Sequence, residues 1–191
     1  MVYNSWLTMQ ARGETNPDTC QYNDFALIRL DPADAGTVNP SIPFWGGPVG
    51  LNTPGAALGD TVFSYCNSSL RDGISQLSPE RSTSLGDSGG GWSHDVFTVT
   101  PGIPGDSGSA FLDAGGRALG VLSTLQLAPL VGSNGVGDLD LELGYLAGPR
   151  ASTCSWRWEP NRSTRAACCK HQRQVRAVHH GVGPQSLEAP R

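Results

Sequence analysis

Residues 101–109 read Pro101-Gly102-Ile103-Pro104-Gly105-Asp106-Ser107-Gly108-Ser109, a glycine-rich loop with a serine directly after an aspartate. The loop leads into an apolar segment at 109–112, a turn at Asp113-Ala114-Gly115-Gly116 and a second apolar segment at 118–123. Two short apolar segments joined by a turn of this composition predict a β-hairpin. The chain therefore presents Ser107 on a loop that β-structure anchors.

The other apolar segments of the chain are also short, which favours strands over helices. We predict strands at 2–7, 25–30, 61–65 and 95–100, and we expect 25–30 to be well buried because its apolar residues point to both faces. Residues 67–91 are polar and predict a loop. Short, closely spaced strands favour an all-β barrel or sandwich over an α/β fold.

Size and composition agree with this fold class. The 191 residues suffice for one domain or for two small barrels that share a core, and 25 glycines and 14 prolines fit a loop-rich protein. No segment approaches the roughly 20 apolar residues that span a bilayer. Residues 1–6 lack the basic and apolar regions of a signal peptide, so either the protein is not secreted or its true start lies upstream.

The charge is divided unevenly along the chain. Residues 1–150 hold 6 basic and 15 acidic residues, a net of −9, whereas residues 151–191 hold 7 basic and 2 acidic residues, a net of +5. The basic tail has no apolar periodicity and is predicted to be disordered. Its aromatic residues are too few to indicate nucleic-acid binding, and its cysteines and histidines fit no zinc-ligand spacing. We therefore predict no nucleic-acid partner, no metal and no other cofactor.

A serine hydroxyl is a weak nucleophile at neutral pH. It needs a base, an acid that orients the base, and donors for the oxyanion. Gly105 allows a tight turn in which its own N–H and that of Ser107 can point into one small space. In Asn23-Asp24-Phe25-Ala26-Leu27-Ile28-Arg29-Leu30, Asp24 stands at the mouth of an apolar strand, where an acid would be desolvated and held in one orientation. These residues predict Ser107 as the nucleophile and Asp24 as the orienting acid.

The two motifs, in this order and followed by the hairpin, resemble those of the trypsin/chymotrypsin-like serine protease family, and the secreted actinobacterial members in particular. The resemblance covers roughly residues 3–147. It implies a chymotrypsin-like double β-barrel and a serine endopeptidase that works through an acyl-enzyme, with an oxyanion hole at Gly105 and Ser107. It also implies a polypeptide substrate, no membrane partner, a monomer and an extracellular location. The implied substrate-binding residues are Ser123, which would lie beside the aspartate, Thr124 and Leu125.

The resemblance divides the chain into four parts. Residues 1–30 correspond to a remnant of the first barrel, 31–59 to a connector, 60–147 to most of the second barrel, and 148–191 to the basic tail. A late start of the reading frame and a frameshift near 147–150 would account for both ends. An incomplete first barrel leaves apolar residues uncovered, and we expect these at Val2, Leu7, Phe25 and Leu27.

In the family the histidine base lies upstream of the aspartate, but no histidine precedes Asp24 in this chain. His94 is the only histidine in the first 170 residues, and it falls in the part that corresponds to the serine's own barrel. We therefore favour a surface or strand-edge histidine over a substitute base, and we take the catalytic histidine to be missing from this chain. The alternative to an endopeptidase is an inactive, protease-like pseudoenzyme or gene fragment that at most binds peptides.

Two further positions bear on the choice of nucleophile and of substrate. Gly86-Asp87-Ser88-Gly89-Gly90 matches the commoner family signature more closely than 105–109 does, but no strand–turn–strand pattern follows it, so Ser107 is favoured. Pro101 stands where family members specific for basic side chains carry an acid, which favours small or apolar substrate side chains. Asp138 could supply such an acid from the other wall, although we interpret it as a solvated loop residue.

Overall fold

Six antiparallel strands close into a barrel in the computed structural model, which describes residues 1–127 and 130–148. The barrel strands are β3 (Thr61–Tyr65), β4 (Pro79–Ser88), β5 (Ser93–Phe97), β6 (Ala110–Asp113), β7 (Ala118–Leu125) and β8 (Asn134–Asp138). They follow one another in the order β3-β4-β5-β8-β7-β6, and β6 pairs back to β3. The prediction of an all-β fold is confirmed, and the predicted hairpin is β6–β7.

The barrel core is small and mostly aliphatic. Its largest side chain is Phe111 of β6, which is 1% exposed. The other members lie on β3, β5, β7 and β8, except Ala56 and Cys66, which lie outside the strands. The buried cluster consists of Ala56, Val62, Cys66, Val96, Phe111, Leu119, Leu122 and Val136. Inward and outward positions alternate in burial along β3, whereas every residue of β8 is buried.

The prediction of a loop over residues 67–91 is wrong, because β4 occupies Pro79–Ser88 and is the longest strand among the described residues. Glu80, Ser82 and Ser84 are each at most 1% exposed and occupy the inward positions of β4. The hydroxyl of Ser84 donates to the carbonyl of Ala56 at 3.1 Å. The strand has the expected period of two, but its inward residues are polar, so its hydrophobicity does not alternate.

The N-terminal segment also departs from the prediction. Strands 2–7 and 25–30 shrink to β1 (Tyr3–Asn4) and β2 (Ala26–Leu27), with helices α1 (Ser5–Arg12) and α2 (Pro17–Tyr22) between them. The side chain of Asn4 caps α1 by accepting from Leu7, and Asn16 caps α2 in the same way. These two caps explain why the chain turns into helices where the apolar pattern indicated strands.

Helix α3 (Leu139–Ala147) follows β8 directly and holds the N-terminal segment against the barrel. Arg12 donates to the carbonyl of Tyr145 at 2.6 Å, and its guanidinium lies 4.7 Å from the centre of the Tyr145 ring. The hydroxyl of Tyr145 donates to Glu14 at 3.1 Å. No helix among the described residues is long and apolar enough to cross a membrane. The predicted basic tail lies outside the described residues from residue 149 onward.

Apolar side chains of the N-terminal segment lie open to solvent. Val2 is 59% exposed, Leu7 61%, Ile28 73% and Leu30 50%, whereas Phe25 and Leu27 are half-buried. The expectation that 25–30 is well buried is therefore wrong, because β2 has only β1 as a neighbour in its sheet.

We expect this exposed apolar surface to bind the dye 8-anilinonaphthalene-1-sulfonate and to increase its fluorescence strongly. Combining Leu7→Ser with Ile28→Ser should lower the increase, because these two residues are among the most exposed large apolar side chains of the N-terminal segment. Val99→Ser is the matched control, because Val99 is 92% exposed but lies in the loop after β5, outside the N-terminal segment. A signal that falls equally in the control would contradict this assignment.

Candidate functional site

The loop of residues 101–109 presents Ser107 to solvent and buries Asp106. Asp106 is 1% exposed, and its two carboxylate oxygens accept from the backbone N–H of Ser68 at 2.6 Å and of Ile103 at 2.9 Å. Gly105 has a φ of +97°, and an added Cβ would lie 2.6 Å from the hydroxyl of Ser68. Only glycine fits this turn, so its place beside Asp106 is a structural requirement of the loop.

The buried side chain of Arg71 anchors this loop through hydrogen bonds. Arg71 donates to Asp106 through Nη2 at 2.6 Å and Nε at 3.2 Å, and through Nη2 to Glu80 at 3.0 Å. It also donates to the carbonyls of Leu77 and Pro101. Burial alone would raise the pKa of Asp106, but the hydrogen bonds from Arg71 and the backbone outweigh it, and the pKa is lowered. Asp106 is therefore an ionised structural residue and not a general acid.

The loop leaves two backbone donors free next to the serine. Among the described residues, the N–H groups of Gly105 and Ser107 have no hydrogen-bond partner, whereas those of Asp106 and Gly108 are paired with the carbonyls of Ile103 and Leu122. Both free groups belong to exposed residues. Free N–H groups on either side of Asp106 are available to stabilise an oxyanion that forms at Ser107.

Two successive residues of β7 contact the serine loop and Asp24. Gly108 donates its N–H to the carbonyl of Leu122 at 2.8 Å, and the N–H of Leu122 donates to the carbonyl of Ser109 at 2.8 Å. The next residue, Ser123, donates its hydroxyl to Oδ2 of Asp24 at 3.1 Å, across 99 residues of sequence. The structure thus brings together the residues that the sequence predicted as nucleophile loop, orienting acid and aspartate neighbour.

A β-bulge in β7 orients the side chain of Ser123 toward Asp24. In the β7–β8 ladder Leu122 pairs with Val136 and Thr124 with Gly135, so Ser123 is one residue in excess on β7. Such a bulge breaks the alternation of faces and re-aims the extra side chain. Thr124 and Leu125, the other predicted substrate-binding residues, follow it and are both exposed.

Ser5 holds the backbone on both sides of Asp24. Its buried hydroxyl donates to the carbonyl of Asn23 at 2.8 Å and accepts from the N–H of Phe25 at 2.9 Å. The side chain of Asp24 itself is exposed, so the expectation that it is desolvated at the mouth of a buried strand is wrong. The strand is too short and too open to bury it, and its orientation comes from Ser5 and Ser123 instead.

Glu142 of α3 is a buried acid near Asp24. It is 1% exposed, and neither carboxyl oxygen has a partner with good hydrogen-bond geometry among the described residues, although the nearby backbone N–H of Asp24 opposes the rise in its pKa. Burial raises its pKa to about 8, and the charges of Asp24 and Asp138 add to the increase. Glu142 is therefore mostly protonated at neutral pH, and its burial leaves Asp24 as the exposed carboxylate of this pair.

His94 is held between two carboxylates. Its Nδ1 lies 2.9 Å from Asp87, its Nε2 lies 2.8 Å from Asp138, and the ring is 1% exposed. Burial lowers its pKa, but the hydrogen bonds to the two aspartates outweigh this and raise it. Both ring nitrogens are occupied, so His94 has no site at which to take a proton from a serine. The expectation of a surface or strand-edge histidine is wrong, because β5 lies between β4 and β8 and the ring is buried.

The interpretation of Asp138 as a solvated loop acid is wrong. Asp138 is 5% exposed, and it caps α3 through Oδ1, which accepts from the N–H of Leu141 at 2.8 Å. Its other oxygen faces His94. Asp138 thus links the barrel to the helix and is not available to a substrate.

Ser88 lies on the barrel wall, away from His94. Ser88 pairs with Ser93 and Asp87 with His94 across β4 and β5, so the side chains of Ser88 and His94 point to opposite faces. The hydroxyl of Ser88 donates to Asp95 at 3.2 Å. A Ser88–His94 pair is therefore not formed, and Ser107 stays the better candidate nucleophile.

Sequence reasoning overlooked several residues that shape the site. Arg71 lies in a segment assigned to a loop, and Ser5 and Glu142 carry no local motif. The one usable signal was the sequence Asn4-Ser5, a helix-capping pattern, but it says nothing about contact with residues 23–25. The remaining contacts arise only from packing between distant segments.

The described residues contain no cluster of three or more acidic, histidine or cysteine side chains arranged to hold a metal ion. The sequence was compared with protein-family models and with curated proteins, and neither comparison found a match.

Proposed function

We propose that this chain carries the nucleophile, oxyanion donors and orienting acid of a serine-type endopeptidase. The observation that carries the proposal is the contact of β7 with both the Ser107 loop, at Leu122, and Asp24, at Ser123. The free N–H groups of Gly105 and Ser107 supply the oxyanion donors. The finer assignment, a trypsin/chymotrypsin-like double barrel with Asp24 in the remnant of the first barrel, belongs to the same proposal.

The proposed reaction is acyl transfer to Ser107. Its hydroxyl oxygen forms a bond to the peptide carbonyl carbon while a base takes the hydroxyl proton, and the oxyanion is stabilised by the N–H groups of Gly105 and Ser107. Collapse breaks the carbon–nitrogen bond, and the amine leaves with the proton from the base. Water then repeats the sequence on the acyl-enzyme and releases the acid. Asp24 orients the base and stabilises its charged form.

The base is an imidazole that the described residues do not provide, because His94 is occupied by Asp87 and Asp138. This observation favours a second candidate, a protease-like protein that binds peptides without cleaving them. The two candidates differ in the reactivity of Ser107 when an imidazole is present.

We expect a fluorophosphonate probe to label Ser107 slowly and free imidazole to accelerate the labelling by about tenfold or more, since a general base contributes roughly 10²–10⁴ when positioned. Labelling is measured by intact-protein mass spectrometry as a rate at several imidazole concentrations. Asp24→Asn should reduce the acceleration, because the imidazole loses its orienting partner.

Two serine variants serve as controls for this labelling. Ser107→Ala should abolish it, and Ser88→Ala should leave it unchanged. Labelling that imidazole does not accelerate, or that survives Ser107→Ala, would overturn the endopeptidase proposal and support the binding protein.

A further inference from the structure

The carboxyl group of Glu142 on α3 is buried and takes no part in the proposed reaction as described so far. Among the described residues, neither of its oxygens has a partner with good hydrogen-bond geometry. Buried polar atoms without partners are rare in folded proteins, because each one costs stability. Natural proteins accept a cost of this kind mainly at functional sites. Glu142 is therefore a candidate for a role beyond packing.

The backbone of β8 makes room for this carboxyl group at Gly137. A Cβ added at Gly137 would lie 2.6 Å from Oε1 of Glu142 and 3.2 Å from its Cδ. Any other residue at this position would displace the carboxyl group. Gly137 pairs with Val121, which lies two residues before Ser123 on β7. The carboxyl group thus lies against the β7–β8 ladder, near the strand residue that binds Asp24.

Glu142 and Asp24 influence each other directly. Burial raises the pKa of Glu142 to about 8, and the negative charge of Asp24 adds to the increase. The backbone N–H of Asp24 acts in the opposite direction, because it favours the ionised carboxylate. Two carboxyl groups that interact in this way titrate as a pair, since charge on one disfavours charge on the other. Glu142 is the buried member of the pair, and it is the one that keeps its proton at neutral pH.

Few other ionisable groups surround Glu142. The charge of Asp138, at the end of β8, also raises the pKa of Glu142. Burial raises the pKa of Tyr3 on β1, and the charge of Glu142 adds to that increase. The eight residues of β7 include no ionisable side chain. Three charged groups on the neighbouring elements are held by the contacts given above: His94, Arg12 and Glu14. Asp24 is therefore the exposed partner through which Glu142 can act.

We propose that Glu142 is a positioning residue for Asp24: protonated, it leaves Asp24 as the charge that faces the base, and on losing its proton it adds a second negative charge nearby. This role rests on the proposed function, in which Asp24 orients an imidazole and stabilises its charged form. A second carboxylate stabilises the imidazolium further, because opposite charges attract. The proton of Glu142 goes to solvent, and no other bond changes. Ser107 should then lose its proton to the base more readily.

The first test measures the coupling without using Ser107. The carboxyl carbon of Glu142 is followed by ¹³C NMR between pH 5 and 10 in the full chain, and its resonance is the one that Glu142→Gln removes. We expect a midpoint near pH 8. Asp24→Asn should lower this midpoint by about half a pH unit or more, because it removes a charge that disfavours ionisation. Asp140→Asn, at a half-buried position on the same helix, should leave it unchanged.

The second test measures the effect on the reaction. The imidazole-dependent rate of fluorophosphonate labelling is compared between the unchanged protein and Glu142→Gln at pH 6 and pH 9.5, where circular dichroism shows both proteins folded. The ratio of the two rates cancels the titration of imidazole itself. We expect a ratio near one at pH 6 and about three at pH 9.5, because only the unchanged protein gains the second charge. A purely structural role would give the same ratio at both pH values.

The two tests separate this role of Glu142 from the proposed function. A midpoint that is the same in the unchanged protein and in Asp24→Asn, a midpoint near the ordinary value for glutamate, or a rate ratio that does not increase with pH would each overturn the inference. Coupling without labelling of Ser107 supports the pairing of Glu142 with Asp24 and rejects the endopeptidase. Labelling of Ser107 without coupling supports the endopeptidase and overturns the role of Glu142.

Discussion

Glu142→Gln is expected to stabilise the protein against unfolding at neutral and alkaline pH, by an amount that grows to about 5 kcal/mol near pH 8 and above. The reason is the cost of ionising a buried carboxyl that is 1% exposed and has no partner with good hydrogen-bond geometry among the described residues. Burial, reinforced by Asp24 and Asp138, raises its pKa from 4.5 to about 8. Glutamine keeps the shape of the protonated acid and cannot ionise.

The direction of the pH dependence of stability follows from the raised pKa of Glu142. The folded-state pKa of Glu142 lies above the unfolded-state value, so its protonation stabilises the fold fully below about pH 4.5. That stabilisation is lost as the pH rises to about 8, because the unfolded chain releases the proton first. Glu80, whose pKa burial raises to about 7 despite the nearby Arg71, acts in the same direction, as does His94 with its raised pKa.

The measurement is the free energy of unfolding in urea at pH 5, 7 and 9 for the two proteins. Their difference isolates Glu142 from the other two groups, and it should be small at pH 5 and large at pH 9. Asp140→Asn is the matched control, since it removes an acid from the same helix at a half-buried position. A constant difference between Glu142→Gln and the unchanged protein from pH 5 to 9 would show that Glu142 is ionised and paired in the fold.

Arg71→Met is expected to cost about 3–5 kcal/mol of the free energy of unfolding, because it leaves a buried carboxylate without its partner. Asp106 is 1% exposed and Arg71 7%, and their closest atoms are 2.6 Å apart. The same change should slow the labelling of Ser107, because Asp106 lies between the two residues that carry the free N–H groups. Stability is measured by urea unfolding and reactivity by the fluorophosphonate rate.

Two further variants separate the lost ion pair from lost packing. The double variant Arg71→Met with Asp106→Asn should be less destabilised than the sum of the single variants, because the stranded charge is removed. Arg117→Met is the surface control: its partner Asp113 is 3.8 Å away and its side chain is 57% exposed, so a cost below about 1 kcal/mol is expected. Equal costs for the two arginines would contradict the structural role of Arg71.

Local patterns in the sequence were sufficient for the fold class and for β3, β6 and β7, but they did not predict β8, whose residues are mostly glycine and polar. The prediction at 61–65 coincides with β3, and the segments around the Asp113–Gly116 turn form β6 and β7. Strand β4 was overlooked because Glu80, Ser82 and Ser84 take its inward positions. A barrel interior can hold hydroxyls when it pairs them, and hydrophobicity does not reveal which ones it will pair.

The N-terminal segment shows a different limit. Its apolar residues indicated strands, while Asn4 and the pair Asn16-Pro17 carried helix-start signals of similar strength. The secondary structure of segments this short is decided by the surface against which they pack. Here that surface is α3, which contacts the segment through Arg12 and Tyr145.

For the candidate site, the sequence by itself determined which residue types were present: a serine and two glycines in a loop that must turn tightly, and an aspartate before an apolar segment. Their chemistry depends on the residue and its immediate neighbours, which a sequence displays. Only the tertiary structure decided that a bulge at Ser123 joins Asp24 to the serine loop, that Asp24 is exposed while Glu142 is buried, and that His94 is occupied. Proximity across 99 residues and desolvation are products of packing, and no local pattern encodes them.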